Sequence, residues 1–282
     1  MYRNVALPSA TDLEDGVRDW VFSEPLRDLI VHFGGELPTT DARTALGWLD
    51  EFSYEHWDFR RGVERADIKQ QVFENASLVL AATGALGLRG HNTPQRDFYD
   101  RILVLGGGAR ACFLRPDYTA SLLRQGLTTD GIAGLGSERR LSPPEREIAG
   151  PGAETEADAL FRGFDRAGVD ARIVTATGPR SSTADVRRAN TADTYDAWRA
   201  ADPAPVSTIL IVTSEIYVPF QHYDAVRKLD ATVETVGLPA AYTLPDGLRQ
   251  SFQPENYLQE LRSALRSMRR LLETPGDNGD RR

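Results

Sequence analysis

Arg101-Ile102-Leu103-Val104-Leu105-Gly106-Gly107-Gly108-Ala109-Arg110 is the stretch on which the fold turns. An apolar, partly β-branched run of five residues reads as a buried strand. The three glycines at its C-terminal end let the backbone turn sharply and approach a ligand closely. A helix after them would turn free N–H groups toward an anion or polar headgroup. Open α/β sheets place their ligands at such strand ends.

Downstream of this stretch, short apolar runs alternate with helical patterns. Strands are expected at Arg101–Leu105, Gly131–Leu135, Ala171–Ala176, Thr208–Thr213 and Thr232–Val236. Helices are expected at Pro116–Gln125, Glu154–Ala167, Ala189–Ala200 and Pro219–Leu229. The alternation predicts an α/β fold: a Rossmann-like, mostly parallel sheet of about five strands with helices on both faces. Residues 137–153, rich in Pro, Gly and charge, read as a long loop of the kind that serves as a lid or binding loop.

Upstream, the apolar period is helical. Ile68, Val72, Ala76, Val79 and Leu80 fall on one helix face. Thr40-Asp41 opens another helix bearing Ala45, Leu46, Trp48, Leu49 and Phe52. Trp20, Trp48 and Trp57 are expected as packing anchors. Four segments follow: a helical region over 1–96, the α/β domain over 97–240, a C-terminal helix over 241–274 packing on that domain, and a disordered tail over 275–282. The C-terminal helix should bury Leu258, Leu261, Leu265, Met268 and Leu272.

Composition bounds the function. The chain has 282 residues, a net charge of −8 and 41% hydrophobic residues. The acidic balance argues against nucleic acid or an anionic membrane surface as partner. Cys112 is the single cysteine, so no intrachain disulfide forms. With four His and one Cys, a structural metal site is not expected. The N-terminus lacks a signal-peptide core, and the run Ala76–Leu88 is too short to span a bilayer. A cytoplasmic protein is expected, with the helical N-terminal region as the surface for any self-association.

In a parallel sheet, residues following each strand converge on one edge. Here they are Gly106, Gly107, Gly108, Ala109 and Arg110; then Ser137 and Glu156; then Asn190, Thr191 and Asp193; then Thr213, Ser214 and Tyr217. Some also read as helix caps, Thr155 and Asn190 among them. His222 is a candidate general base, beside Asp193 and Tyr217 as further catalytic candidates. The glycine loop matches neither a P-loop nor Gly-x-Gly-x-x-Gly, and it holds no lysine. ATPase and nicotinamide-dehydrogenase readings are therefore excluded.

Ile102–Gly108 with Arg110, Thr155-Glu156-Ala157, Asn190-Thr191-Ala192-Asp193 and Ile211-Val212-Thr213-Ser214 with Pro219 resemble the DUF218 family, the YdcF/SanA/ElyC-like proteins. The resemblance covers about residues 101–236. It implies a Rossmann-like fold and, from some members, binding of S-adenosylmethionine. The chain departs from that family's pattern. Tyr217 stands where His is usual, Phe220 replaces the Arg after Pro, and Asp193-Thr194 replaces Glu-Asn. The helical N-terminal region has no counterpart there.

The leading expectation is a protein that binds a nucleoside-type or other small polar anionic ligand, S-adenosylmethionine foremost, and acts as an enzyme of undefined reaction. Arg110 would grip a carboxylate or phosphate. Glu156 or Asp193 would accept hydrogen bonds from hydroxyl or ammonium groups. The alternatives are a non-catalytic binding or scaffold protein with a degenerate cleft, and a phosphoester hydrolase using Asp193 and Glu156.

Overall fold

A computed structural model describes residues 2–60, 75–177 and 189–273. In chain order, its elements are α1 (Leu13–Val21), α2 (Glu24–His32), α3 (Ala42–Trp57) and α4 (Ala76–Thr83), which runs into a π turn at Gly84–Leu88. Next come β1 (Phe98–Tyr99), β2 (Arg101–Leu105), α5 (Ala109–Arg124), β3 (Thr128–Thr129), β4 (Ile132–Ser137), α6 (Pro143–Ala149), α7 (Glu156–Ala167) and β5 (Arg172–Ala176). The chain continues through α8 (Thr191–Ala201), β6 (Thr208–Ser214), a 3₁₀ turn at Glu215–Tyr217, α9 (Val218–Lys228), β7 (Thr232–Leu238) and α10 (Pro254–Glu273).

These elements form two compact units. The first comprises Met1–Gly90, Pro219–Arg227 and Phe252–Arg282; the second comprises His91–Val218 and Lys228–Ser251. The first unit is helical. Trp20 and Trp57 are fully buried, and the Trp20 indole N–H donates to the Leu86 carbonyl at 3.3 Å. Trp48 stacks on Phe52 with ring centroids 4.9 Å apart. The expected apolar stripe of α10 is buried. That helix belongs to the first unit rather than to the α/β unit on which it was expected to pack. Arg269 of α10 donates to Asp50 of α3 at 3.1 Å, and Arg43 of α3 donates to the Leu272 carbonyl. Ile68 and Val72, expected on a helix face, and the expected tail at 275–282 lie outside the described residues.

The second unit is built on a five-stranded sheet, all parallel, in the order β5-β4-β2-β6-β7. Counted along the chain from β2, this is the order 3-2-1-4-5 of a doubly wound sheet. The parallel strands are nearly continuous apolar runs because helices cover such sheets on both faces. Ile102, Val104, Leu210, Val212 and Val236 join Phe113, Leu114, Leu160 and Phe164 in one core. A separate parallel pair, β1 with β3, was not foreseen; two residues per strand leave no periodicity to read.

Two helices depart from expectation. The first crossover helix begins at Ala109, not at Pro116, which lies inside it. Proline has no N–H to offer the Cys112 carbonyl one turn back. Gly163 of α7 packs on that carbonyl so closely that a Cβ there would lie 1.8 Å from the oxygen. The expected loop at 137–153 contains α6, started by Ser142 with proline in its first turn. Ser142 and Glu145 form a reciprocal capping box there.

Candidate functional site

The sheet order reverses between β2 and β6, so their carboxyl ends flank the switch point of the second unit. Gly106 extends the ladder, its N–H donating to the Leu135 carbonyl at 2.7 Å. None of Gly106, Gly107 and Gly108 has a left-handed φ. Their missing side chains instead make room for the protein's own groups. A Cβ on Gly106 would lie 2.4 Å from Glu156 Oε1, and one on Gly108 would lie 3.4 Å from Glu145 Oε1.

Arg115, inside α5 and 1% exposed, closes the switch point from below. Its Nη1 donates to the carbonyls of Leu105, at 2.7 Å, and Gly106. Its Nε donates to Ser214 Oγ at 3.1 Å. Its guanidinium carbon lies 5.7 Å from the Tyr217 ring centroid, within cation–π range. One arginine thus ties the exit of β2 to the exit of β6.

Arg139, two residues past β4, organises the other side. It donates to both oxygens of Glu145 at 2.8 Å, to Glu156 Oε2 at 3.1 Å and to the Gly107 carbonyl at 2.9 Å. Glu145 Oε1 also accepts from the Ala109 N–H at 3.2 Å, so a side-chain carboxylate sits at the N-terminus of α5. Burial works against the charge of Glu145, yet Arg139 and Ser142 hold its pKa down to about 2. Glu156 is buried more deeply. Desolvation pushes its pKa up, against the pull of Arg139, Arg115 and the Ser137 hydroxyl. The four groups Arg115, Arg139, Glu145 and Glu156 are balanced in charge. Cys112 lies beneath them, its thiol pushed up to about 12 by burial and its Sγ 3.5 Å from the Gly107 carbonyl.

The structure therefore gathers Gly106, Gly107, Gly108, Ala109, Ser137, Glu156, Ser214 and Tyr217 around two arginines absent from the sequence reading. Thr213 is buried beside Ser214 at the end of β6, in register with Gly237. Arg110 is exposed; the arginines that hold the loop are Arg115 and Arg139. Asn190 caps α8, accepting from the Asp193 N–H at 3.1 Å, while Asp193 accepts from the Asn190 N–H at 2.7 Å. Thr191 is the first residue of that helix. Thr155 and Asp158 make the same reciprocal cap on α7. His222 belongs to the first unit, where it is buried and its Nε2 lies 3.0 Å from the Pro8 carbonyl. A carbonyl only accepts, so this contact fixes the proton on Nε2.

Arg115, Arg139 and Glu145 escaped the sequence reading for different reasons. Arg115 precedes Pro116, and a proline there reads as a helix start. Arg139 and Glu145 lie in a segment read as loop. A hollow of about 380 Å³ lies among Pro143, Arg146, Glu147, Gly150, Pro151, Gly152, Ala153 and Glu154, not at the glycine loop. Among the described residues, no cluster of three His, Cys, Asp or Glu is placed to hold a metal, and no helix is long and apolar enough to cross a membrane.

Residues 6–87 match the family model described as the Rv3785 N-terminal domain. Over most of its length the chain is similar to Uncharacterized protein Rv3785 of Mycobacterium tuberculosis (strain ATCC 25618 / H37Rv) and Uncharacterized protein Mb3814 of Mycobacterium bovis (strain ATCC BAA-935 / AF2122/97). It is 29% identical to each, over 95% of this chain and 91% of the relative. No solved structure matches the chain. These similarities replace the resemblance to the DUF218 family: the matching family model covers the N-terminal helical region, and the relatives span both units. The short glycine, Asn-Thr and Thr-Ser motifs that carried that resemblance are accounted for as close packing, a helix cap and a strand end.

Proposed function

We propose that the second unit binds a small polar ligand of nucleoside type at the carboxyl edge of its sheet, between Gly106–Gly107 and Ser214–Tyr217. The observation that carries this reading is the 3-2-1-4-5 strand order with the glycine loop and the β6 exit meeting at the switch point, held by Arg115. Sheets of this kind take ligands there. The balanced charges around the loop suit a neutral or zwitterionic ligand better than a polyanion. S-adenosylmethionine, a nucleoside joined through a sulfonium cation to a zwitterionic amino-acid end and free of phosphate, is the first ligand to test. Strand order alone does not carry an activity. The reading is therefore of binding, with group transfer as the reaction class that such a ligand would bring.

The test is thermal unfolding of the full chain with S-adenosylmethionine, adenosine or adenosine monophosphate. A ligand at 100 times its Kd adds about 2.7 kcal/mol. Gly107→Val should abolish the shift, since a Cβ there already meets Ala111 Cβ at 3.3 Å and Arg115 Nη1 at 3.5 Å. No stabilisation by any of the three ligands overturns the reading. A second reading, a non-catalytic scaffold, is favoured by one observation: Arg139 has its donors committed to Glu145, Glu156 and the Gly107 carbonyl.

A further inference from the structure

We propose that Glu145 is a built-in anion that fills, from within the chain, the place at the glycine loop where a ligand's phosphate would sit, so that this edge rejects phosphate-bearing ligands; as a statement about ligands this rests on the binding reading above. The start of a helix after a glycine turn is a ready anion position. Its first N–H groups lack partners and its dipole favours negative charge. At the start of α5 the protein's own carboxylate takes that position.

The donors around Glu145 are those of a bound anion. Its Oε1 accepts from the Ala109 N–H at 3.2 Å and from Arg139 Nη2 at 2.8 Å. Its Oε2 accepts from Arg139 Nη1 at 2.8 Å, and from the Ser142 N–H and hydroxyl, each at 2.9 Å. A planar arginine fork on both oxygens of a carboxylate is the geometry that also grips phosphate. The low pKa of Glu145 keeps the carboxylate charged throughout the neutral range.

None of these donors depends on Glu145 for its place. The Ala109 N–H is fixed by α5. Without Glu145, Arg139 still donates to Glu156 Oε2 at 3.1 Å and to the Gly107 carbonyl at 2.9 Å. Helix α6, which presents Glu145, has its own anchors. Leu141 and Ala149 are buried in the core of the unit, and Arg162 Nη1 donates to the Ala149 carbonyl at 2.7 Å. Cutting back the side chain therefore uncovers an assembled anion position instead of collapsing it. Arg115 and Arg139 then face Glu156 alone, which leaves positive charge in excess beside the glycine loop.

The experiment follows thermal unfolding and calorimetry of the full chain in inorganic phosphate, at matched ionic strength, beside Glu145→Ala, Glu145→Ser and Thr155→Ala. Both Glu145 variants should bind phosphate at least about tenfold more tightly than the wild type and regain melting temperature as it is added. Thr155→Ala loses a cap whose acceptor lies within its own turn, and phosphate should restore nothing to it. Adenosine monophosphate should gain on adenosine in the Glu145 variants. Phosphate that stabilises the wild type as much as the variants, or that stabilises neither variant, overturns the role of Glu145 and leaves the binding reading to its own test. Failure of both variants to fold in phosphate overturns it too, because the donors would then depend on the side chain. Phosphate gained with no gain of adenosine monophosphate over adenosine overturns the selection among ligands. Should adenosine, adenosine monophosphate and S-adenosylmethionine all fail to stabilise every variant and the wild type, the binding reading falls, and the selection with it.

Discussion

The N-terminus of α5 and the N-termini of α7 and α8 solve one problem in two ways. Every helix start exposes N–H groups that need acceptors. On α7 and α8 the acceptor lies within the same turn: Thr155 serves the Asp158 N–H and Asn190 serves the Asp193 N–H. On α5 the cap residue is Gly108, which has no side chain, and the acceptor for the Ala109 N–H is Glu145, 36 residues further along the chain. Arg139 holds that acceptor, and the same arginine neutralises the buried Glu156. Local caps stabilise one helix each. The remote cap joins α5, α6, α7 and the exit of β4 into one unit of charge, so its loss should spread further.

The largest effect is expected from Arg139→Met. It leaves the buried Glu156, and Glu145, without their shared cation. Breaking a buried pair on one side costs about 3–5 kcal/mol. Urea unfolding should register that loss, and Arg139→Met with Glu156→Gln should recover part of it. A loss below about 1 kcal/mol would erase the contrast between the two kinds of helix start, since local caps are worth about that much. Glu145→Ala comes next, at about 2 kcal/mol, because it removes charge-assisted bonds but leaves Arg139 its partner Glu156.

The two carboxylates on Arg139 should respond to pH with opposite signs. Glu156 has a raised folded pKa, so the native state takes up a proton more readily than the unfolded chain. Its contribution is fully present below the ordinary glutamate value and is lost as pH rises through the raised value. Glu145 is held down to about 2. Its contribution is present above the ordinary value and is lost as pH falls toward 2. Urea midpoints across pH should therefore peak in the mildly acidic range. Glu156→Gln should flatten the neutral side of that curve and Glu145→Gln the acid side. A curve whose neutral side is unchanged by Glu156→Gln contradicts the raised pKa.

The same contrast explains what could be read from the sequence. The five sheet strands were legible because each is a short apolar run between turn residues, and Arg101–Leu105 matches to the residue. Thr155 and Asn190 were legible as caps because cap and acceptor lie three residues apart. The start of α5 was hidden by Pro116, which lies inside the helix rather than at its first turn. Helix α6 was hidden by prolines and glycines that also mark loops. Arg115 reaches Ser214, 99 residues on, and Arg139 reaches Glu156, 17 residues on. Only the assembled sheet brings such partners together, and no local pattern announces them. Glycines 106–108 were legible as a loop, but close packing by the protein's own carboxylates looks the same in sequence as room left for a ligand.

The smallest effect should come from Thr155→Ala, and it sets the scale for the others. The substitution removes the hydroxyl that accepts from the Asp158 N–H at 3.2 Å. The return half of the box stays, because the Asp158 carboxylate still accepts from the N–H groups of Thr155, at 2.9 Å, and Glu154, at 3.0 Å. Asp158 is also exposed, so no buried charge is stranded. The loss should therefore stay near 1 kcal/mol, the usual worth of an N-cap hydroxyl. Thr155→Ser keeps an accepting oxygen and should lie within about 0.5 kcal/mol of the wild type. Urea unfolding of Thr155→Ala beside Glu145→Ala measures the difference between a local and a remote cap directly. If the two lose the same amount, Glu145 is an ordinary cap supplied from a distance, and the Arg139 network adds nothing beyond it.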